Sequence, residues 1–98
     1  MGRDSITVTY ARIREELPRG ALLLFHVGGY WEALGDCAQE VAKLCDLRPF
    51  LRWGTSFAAF AEDRLDTMLA RMVRVGKTVA LAERDEINER FEVVRLVQ

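Results

Sequence analysis

Apolar residues recur along the chain at spacings that predict three helices. The first helix has apolar residues at intervals of four, three and four positions, namely Ile6, Tyr10, Ile13 and Leu17. The segments DCAQEVAKLCDL and EDRLDTMLARMVRVG carry similar stripes, and Gly76 stands where the C-terminal cap of the third helix belongs. Each helix is therefore expected to bury one face.

Between and after these helices lie runs of residues that favour strands. The continuous apolar run ALLLF predicts a buried strand, Gly28-Gly29 predicts a kink or bulge, and YWEAL resumes the same strand. RPFLRW predicts a short extended segment, and TVALAE and FEVVRLV predict two strands joined through the polar stretch RDEINER. The order helix, kinked strand, helix, short strand, helix, strand, strand favours an α/β (α+β) domain, with a mixed sheet flanked by about three helices.

Length and composition indicate a single globular domain over residues 1–98, with 50% hydrophobic and 30% charged residues. Apolar runs such as Ala21 to Phe25 are far shorter than the roughly 20 residues that span a membrane. The first residues lack the apolar stretch of a signal peptide. We therefore expect a cytoplasmic protein without a membrane partner.

The sequence contains no pattern typical of an enzyme or a metal site. Cys37 and Cys45, eight positions apart on one helix, would be separated by roughly 12 Å, too far for a disulfide. With one histidine and no C-x-x-C spacing, buried thiols are the better interpretation than zinc ligands. VGKT at 75–78 follows a helix and lacks the upstream glycine of a phosphate-binding loop. We expect no catalytic residue, no metal and no cofactor.

The net charge of −1 argues against tight autonomous DNA binding, because phosphate neutralisation supplies most of the affinity of nucleic-acid-binding domains. A local basic patch is compatible with a weaker contact. The candidate residues for such a patch are Arg3, Arg12, Arg14, Arg52, Arg71, Arg74 and Lys77. Arg71 and Arg74 share one side of the third helix and Lys77 follows its end. Each cation is equally explained as a surface residue paired with a nearby acid.

The segment LLLFHVGGYWEALGDCAQEVAKL resembles the N-terminal, mismatch-recognition domain of the MutS family of DNA mismatch-repair proteins. In that family a leucine-rich strand ends in Phe-Arg-Met-Gly-Asp-Phe-Tyr-Glu. LARMVRVGKTVALAER is similar to the family's Leu-Ala-Arg-Leu-Val-Lys-Leu-Gly stretch and the following strand, and FEVVRLV to its closing Val-Val-Arg-Ile-Val. The resemblance covers nearly the whole chain in order.

The resemblance implies a mixed sheet that inserts an aromatic wedge into distorted DNA, with a glutamate that hydrogen-bonds the mispaired base. By position the wedge is Tyr30 and the acid is Glu32, with Trp31 between them. Residues two apart in a strand point to the same face, so Tyr30 and Glu32 are expected to project into solvent together while Trp31 faces away. Gly28 and Gly29 would let the backbone approach the nucleic acid closely.

The chain departs from the family at several positions. Tyr30 replaces the phenylalanine wedge, Gly29 replaces the preceding aspartate, and His26 replaces an arginine. The Gly-x-Pro-x-His segment before the third helix is represented only by GTSFAA, without proline or histidine. In the family this segment belongs to the DNA-facing side, so the loss of its proline and histidine weakens the interpretation of the chain as a DNA-binding domain.

Two functions from different classes follow. The first is a stand-alone, non-catalytic module that binds mismatched, bulged or otherwise distorted DNA weakly and assists a larger DNA-repair or replication protein. The alternative is a protein-interaction module that keeps the fold and has lost DNA binding; exposed Trp31 and Phe57 would dock on a partner or on a second copy in a homodimer. A third interpretation is that the chain is a piece of a larger repair protein.

Overall fold

The helices and strands predicted from the sequence are found in residues 3–98, whose backbone a computed structural model describes, with side chains from residue 6 onward. The helices are α1 Arg3–Glu16, α2 Asp36–Cys45 and α3 Leu65–Arg74, with a 3-10 turn Glu62–Arg64 before α3. The strands are β1 Leu22–Val27, β2 Tyr30–Leu34, β3 Phe50–Arg52, β4 Thr55–Ala61, β5 Val79–Asp85 and β6 Arg90–Val97.

The strands form one mixed sheet in the order β3-β4-β2-β1-β5-β6. Among these strands only the pair β1–β5 is parallel, and it requires a long crossover, which β2, α2, β3, β4 and α3 provide. Every other neighbouring pair is antiparallel. The predicted mixed sheet flanked by about three helices is confirmed.

Helices cover both faces of the sheet, which explains why β1 is a continuous apolar run. Ile6 of α1 packs on the face that carries Glu32, while Gln39 of α2 donates to Ser56 on the opposite face over 2.7 Å. Strand β1 lies between β2 and β5 with both of its faces covered, so successive residues from Leu22 to Phe25 are all buried. None of the helices in residues 3–98 is long and apolar enough to cross a bilayer.

The segment interpreted as a kinked strand is instead a hairpin. Gly28 and Gly29 form a two-residue turn, and Val27 pairs with Tyr30 in antiparallel register. Gly28 has φ +59, a left-handed conformation that glycine adopts without steric cost. The single predicted strand is therefore two neighbouring strands, and Tyr30 is the first residue of the second.

Strand β4 was not predicted. GTSFAA was interpreted only as the remainder of the family's Gly-x-Pro-x-His segment, yet Thr55–Ala61 forms seven residues of strand that pair with both β2 and β3. Trp53 and Gly54 form the two-residue turn before it, with φ values of +54 and +74. Positive φ at both positions is the pattern of a type I′ hairpin turn.

Both cysteines are buried free thiols, as predicted. Cys37 Sγ lies 3.4 Å from the hydroxyl of Tyr10, and Cys45 lies against the backbone of Met68 in α3. Burial raises the pKa of the Cys45 thiol. The two cysteines thus pack α2 against α1 and α3.

Candidate functional site

Tyr30 lies at the tip of the β1–β2 hairpin, where its ring is accessible to a macromolecule. Its residue surface is 54% exposed, although it begins a strand whose other four residues are buried. The glycines before it carry no side chains, and the positions where their Cβ atoms would stand have no neighbour within 4 Å. The hairpin tip therefore presents one aromatic ring beside open backbone.

Glu32 shares a face of β2 with Tyr30, as the alternation predicted, but the expectation that it projects into solvent is wrong. Glu32 is only 6% exposed. Its two carboxylate oxygens accept hydrogen bonds from the two terminal nitrogens of Arg52, each over 3.3 Å. A buried carboxylate requires such a partner, and Arg52 reaches it from β3, two strands away in the sheet.

Arg52 is itself held against aromatic rings. Its guanidinium carbon lies 4.5 Å from the ring centre of Phe57, 5.4 Å from that of Phe50 and 5.5 Å from that of Trp53. Cation–π attraction of this kind is strongest for partly desolvated groups. The aromatic residues thus fix the arginine that fixes Glu32.

A cleft of about 320 Å³ opens on this face of the sheet. Its lining combines apolar groups with two arginines, one histidine and one carboxylate and consists of Ile6, His26, Val27, Gly28, Glu32, Arg52, Trp53, Arg84 and Phe91. Val27 pairs with Tyr30, so Tyr30 neighbours a residue of the cleft wall without lining the cleft itself. Gly28, Glu32 and Tyr30 are thereby brought together, with Gly29 in the same turn.

The side chain of His26, a residue that also borders the cleft, is the centre of a charged cluster on the other face of the hairpin. The two ring nitrogens of His26 lie 2.8 Å from Glu83 Oε1 and 2.7 Å from Glu62 Oε2, and its ring stacks on Trp31 with centroids 4.3 Å apart. The hydrogen bond to Glu83, followed by that to Glu62, raises the pKa of His26. Both nitrogens can donate only in the protonated ring, so two carboxylate contacts favour the protonated form.

The other predicted basic residues lie away from this site. Thr78 accepts a hydrogen bond from Leu22, so Lys77 lies at the start of β1, six strand residues or roughly 20 Å from Gly28. Lys77 forms an ion pair with Glu40, and Arg71 and Arg74 lie exposed in the last turn of α3. The structure therefore separates Arg71, Arg74 and Lys77 from Tyr30 and Glu32.

The remaining candidate cations have other contacts. Arg12 donates to the carbonyl of Phe91, and Arg14 donates to the carbonyl of Ala21 and to Cys37 Sγ. The side chain of Arg3 lies outside the described residues. Arg84 was not among the candidates, yet it lines the cleft and forms no ion pair with the side chains described from residue 6 onward.

The expectation that Trp31 and Phe57 are exposed anchors is wrong. Trp31 is 4% exposed because it packs beneath His26, and Phe57 is fully buried under Arg52. The exposed aromatics are Tyr30, Phe50 and Trp53. Trp53 was missed because RPFLRW and GTSFAA were interpreted separately; the Trp-Gly pair between two extended runs was the available signal of a hairpin turn.

The sequence comparisons agree with this architecture. A family profile described as MutS domain I matches residues 6–97. The proteins named DNA mismatch repair protein MutS from Cytophaga hutchinsonii and Salinibacter ruber are 35% and 31% identical over 82 and 90 residues, respectively. These alignments cover 79% and 87% of this chain, and the chain spans about 10% of the length of each relative. The chain belongs to the MutS domain I family.

Proposed function

We propose that this chain is a non-catalytic module that binds mismatched, bulged or otherwise distorted DNA, with Tyr30 as the wedge. The observation that carries the proposal is the half-exposed ring at the tip of the Gly28-Gly29 hairpin. Its relatives in the MutS domain I family are named DNA mismatch repair proteins, which supports the same class of ligand.

Tyr30 would act by stacking at a weakened base step. Unstacking costs least where a base is mispaired or unpaired, so an aromatic wedge discriminates between flawed and intact duplex. Stacking on a base contributes roughly 1–3 kcal/mol and is largely indifferent to sequence. Gly28 and Gly29 add no side chain that would hold the duplex away from the ring.

Glu32 would contribute selectivity from inside the cleft. A carboxylate has about four lone-pair positions, and Arg52 occupies one on each oxygen. A base N–H that enters the cleft can use a remaining position while the ion pair persists. Because Arg52 balances its charge, Glu32 does not repel phosphate as a lone carboxylate would.

Affinity would be weak, because the chain has a net charge of −1. We therefore propose that a larger DNA-repair or replication protein in the cytoplasm supplies most of the phosphate contacts. The other end of the sheet carries three more cations, and they would contact phosphate only if the DNA extended along the molecule; they are Arg71, Arg74 and Lys77.

Fluorescence polarisation with labelled duplexes tests the proposal. At low salt the protein should bind a duplex with one extra thymidine more tightly than the fully paired duplex. Tyr30→Ala should weaken binding to the bulged duplex about tenfold, which corresponds to losing one stacked base. Tyr30→Phe keeps the ring and should retain most of the affinity. Equal affinity of the wild type for both duplexes, or no binding at all, would contradict the proposal.

The protein-interaction alternative now depends on a different surface. Strand β3 is an edge strand that exposes Phe50 and Leu51, the latter to 76%. Exposed apolar side chains on a free edge favour association with a partner or with a second copy. Light scattering that shows a dimer, which Leu51→Lys dissociates, together with no binding of the wild type to the bulged duplex, would support this function.

A further inference from the structure

We propose that the cleft beside Tyr30 receives an unpaired nucleobase, with Trp53 as a second stacking surface and Arg84 as a phosphate contact. This inference rests on the proposed binding of distorted DNA and narrows its ligand to DNA in which a base can leave the stack. Trp53 thereby becomes a binding residue distinct from Tyr30 and Glu32.

The first observation that supports this inference is the strained backbone conformation of Trp53. Trp53 has φ +54, a left-handed conformation in which a bulky side chain is unfavourable by roughly 1–2 kcal/mol. Glycine, asparagine and aspartate are the residues that such a hairpin turn favours. Strain retained at one residue is typical of positions that bind ligands.

The second observation is where this strained position places the indole. Trp53 is 50% exposed and lines the same cleft as Glu32, Arg52 and Arg84. Its inner contacts are Phe57, which it meets edge to face at 6.2 Å, and the guanidinium of Arg52. The hydrophobic effect alone would favour deeper burial of so large a ring, so its exposed half is available for another planar group.

The chemistry of the lining matches a nucleobase. A volume of about 320 Å³ lies at the lower end of the range for small-molecule sites and suits one base with part of its sugar. Ile6, Val27 and Phe91 supply apolar contact, and the Glu32 carboxylate supplies a hydrogen-bond acceptor for base N–H groups.

The charge balance of the cleft favours a phosphate-bearing ligand. Among the charged groups of the lining, Arg52 is paired with Glu32, and His26 is paired with Glu62 and Glu83. Arg84 is therefore the one that forms no ion pair with the side chains described from residue 6 onward. Arg84 is exposed on β5, where a phosphate joined to a base in the cleft can approach it. A wholly apolar partner would leave this guanidinium without a counter-charge.

The test compares the bulged duplex with the fully paired duplex in Trp53→Ala, Trp53→Phe and Tyr30→Ala. Trp53→Ala should weaken binding to the bulged duplex about tenfold and leave the weaker binding to paired duplex unchanged. Trp53→Phe should keep most of the affinity. Circular dichroism should show the native fold in all three variants, because neither position lies in the core.

A second readout reports the indole directly. The bulged duplex should protect part of the tryptophan emission of the wild type from acrylamide quenching. Trp53→Phe leaves only Trp31, which is buried, so its emission supplies the background and its quenching should not respond to DNA.

The outcomes separate the two proposals. If Tyr30→Ala loses affinity for the bulged duplex while Trp53→Ala does not, the cleft inference is overturned and the wedge remains. If Trp53→Ala loses affinity equally for the bulged and the paired duplex, the cleft inference is also overturned. It is overturned as well if Trp53→Ala loses self-association while its DNA binding is unchanged. If the wild type does not bind the bulged duplex, both proposals fail.

Discussion

The β1–β2 and β3–β4 hairpins both close with a two-residue turn that requires positive φ, but they use different residues at the positive-φ positions. The β1–β2 turn is Gly28-Gly29, of which only Gly28 has positive φ. The β3–β4 turn is Trp53-Gly54, in which both residues have positive φ. In the first turn glycine adopts the positive φ, and the aromatic residue Tyr30 follows the turn. In the second turn the aromatic residue Trp53 itself adopts the positive φ.

The difference shows that exposure of an aromatic residue can have two origins. Tyr30 is exposed because it follows a turn at the end of the sheet, and the glycines of that turn meet its backbone requirement. Trp53 is exposed at a position whose left-handed backbone conformation is unfavourable for a bulky side chain, so the geometry of the turn does not explain its presence. Trp53 is therefore the stronger indication of a ligand, although it was the harder residue to find in the sequence.

The largest effect on stability is expected at Arg52, which lies next to the strained turn. Arg52→Ala leaves the carboxylate of Glu32 buried without a partner and removes the cation from three aromatic rings. Because a third of Arg52 is exposed, the expected loss is about 3 kcal/mol, the lower end for a broken buried pair. Urea denaturation measures the free energy of unfolding.

Arg84→Ala is the matched control for Arg52, since Arg84 lines the same cleft and is exposed. This change should alter the free energy of unfolding by less than about 0.5 kcal/mol. Replacing both members of the pair, with Arg52→Met and Glu32→Leu together, should cost less than Arg52→Ala alone. A loss below about 1 kcal/mol in Arg52→Ala would show that Glu32 does not depend on this partner.

A smaller effect is expected at the turn of the other hairpin. Gly28→Ala forces a left-handed conformation on alanine and should lower the free energy of unfolding by about 1–2 kcal/mol. The added methyl meets no atom within 4 Å, so backbone strain is the only cost.

Gly29→Ala provides the control within the same turn. Gly29 has equally open space but lies outside the left-handed region, so alanine should be neutral or slightly stabilising. Similar losses in both variants would mean that the turn tolerates no side chain at all, and would contradict the distinction between its two positions.

The fold was predictable from the sequence because its helices are amphipathic and its central strand is buried on both faces. Apolar periodicity located all three helices, and the run LLLF located β1. Two short turns were not predictable in this way, since a two-residue hairpin and a kinked strand leave the same apolar pattern. The Gly28-Gly29 turn was therefore interpreted as a kink, and β4, which lacks clean alternation, was missed.

Only those features of the candidate site that follow from strand alternation were predictable from the sequence. Alternation places Tyr30 and Glu32 on one face, and the register confirms it. It does not indicate which residue from a distant strand will cover that face. Arg52 is 20 positions from Glu32 in sequence, so burial of the acid depends on sheet order, which sequence periodicity does not contain.

The smallest effect concerns the pH dependence of the β1–β2 hairpin. The hydrogen bonds to Glu83 and Glu62 raise the pKa of His26 above its ordinary value of 6.5. The folded state therefore holds the proton more tightly than the unfolded chain, and the resulting stabilisation is fully present below pH 6.5. It is lost as pH rises through the higher folded pKa. The loss should be modest, because both glutamates are about half exposed and solvent screens their ion pairs with His26.

Urea denaturation below pH 6.5 and above the raised pKa of His26 should show that the free energy of unfolding of the wild type declines with pH. The profile should be flatter in His26→Gln, because glutamine donates a hydrogen bond but does not titrate. If the stability of the two proteins changes equally with pH, His26 does not hold the hairpin through its charge.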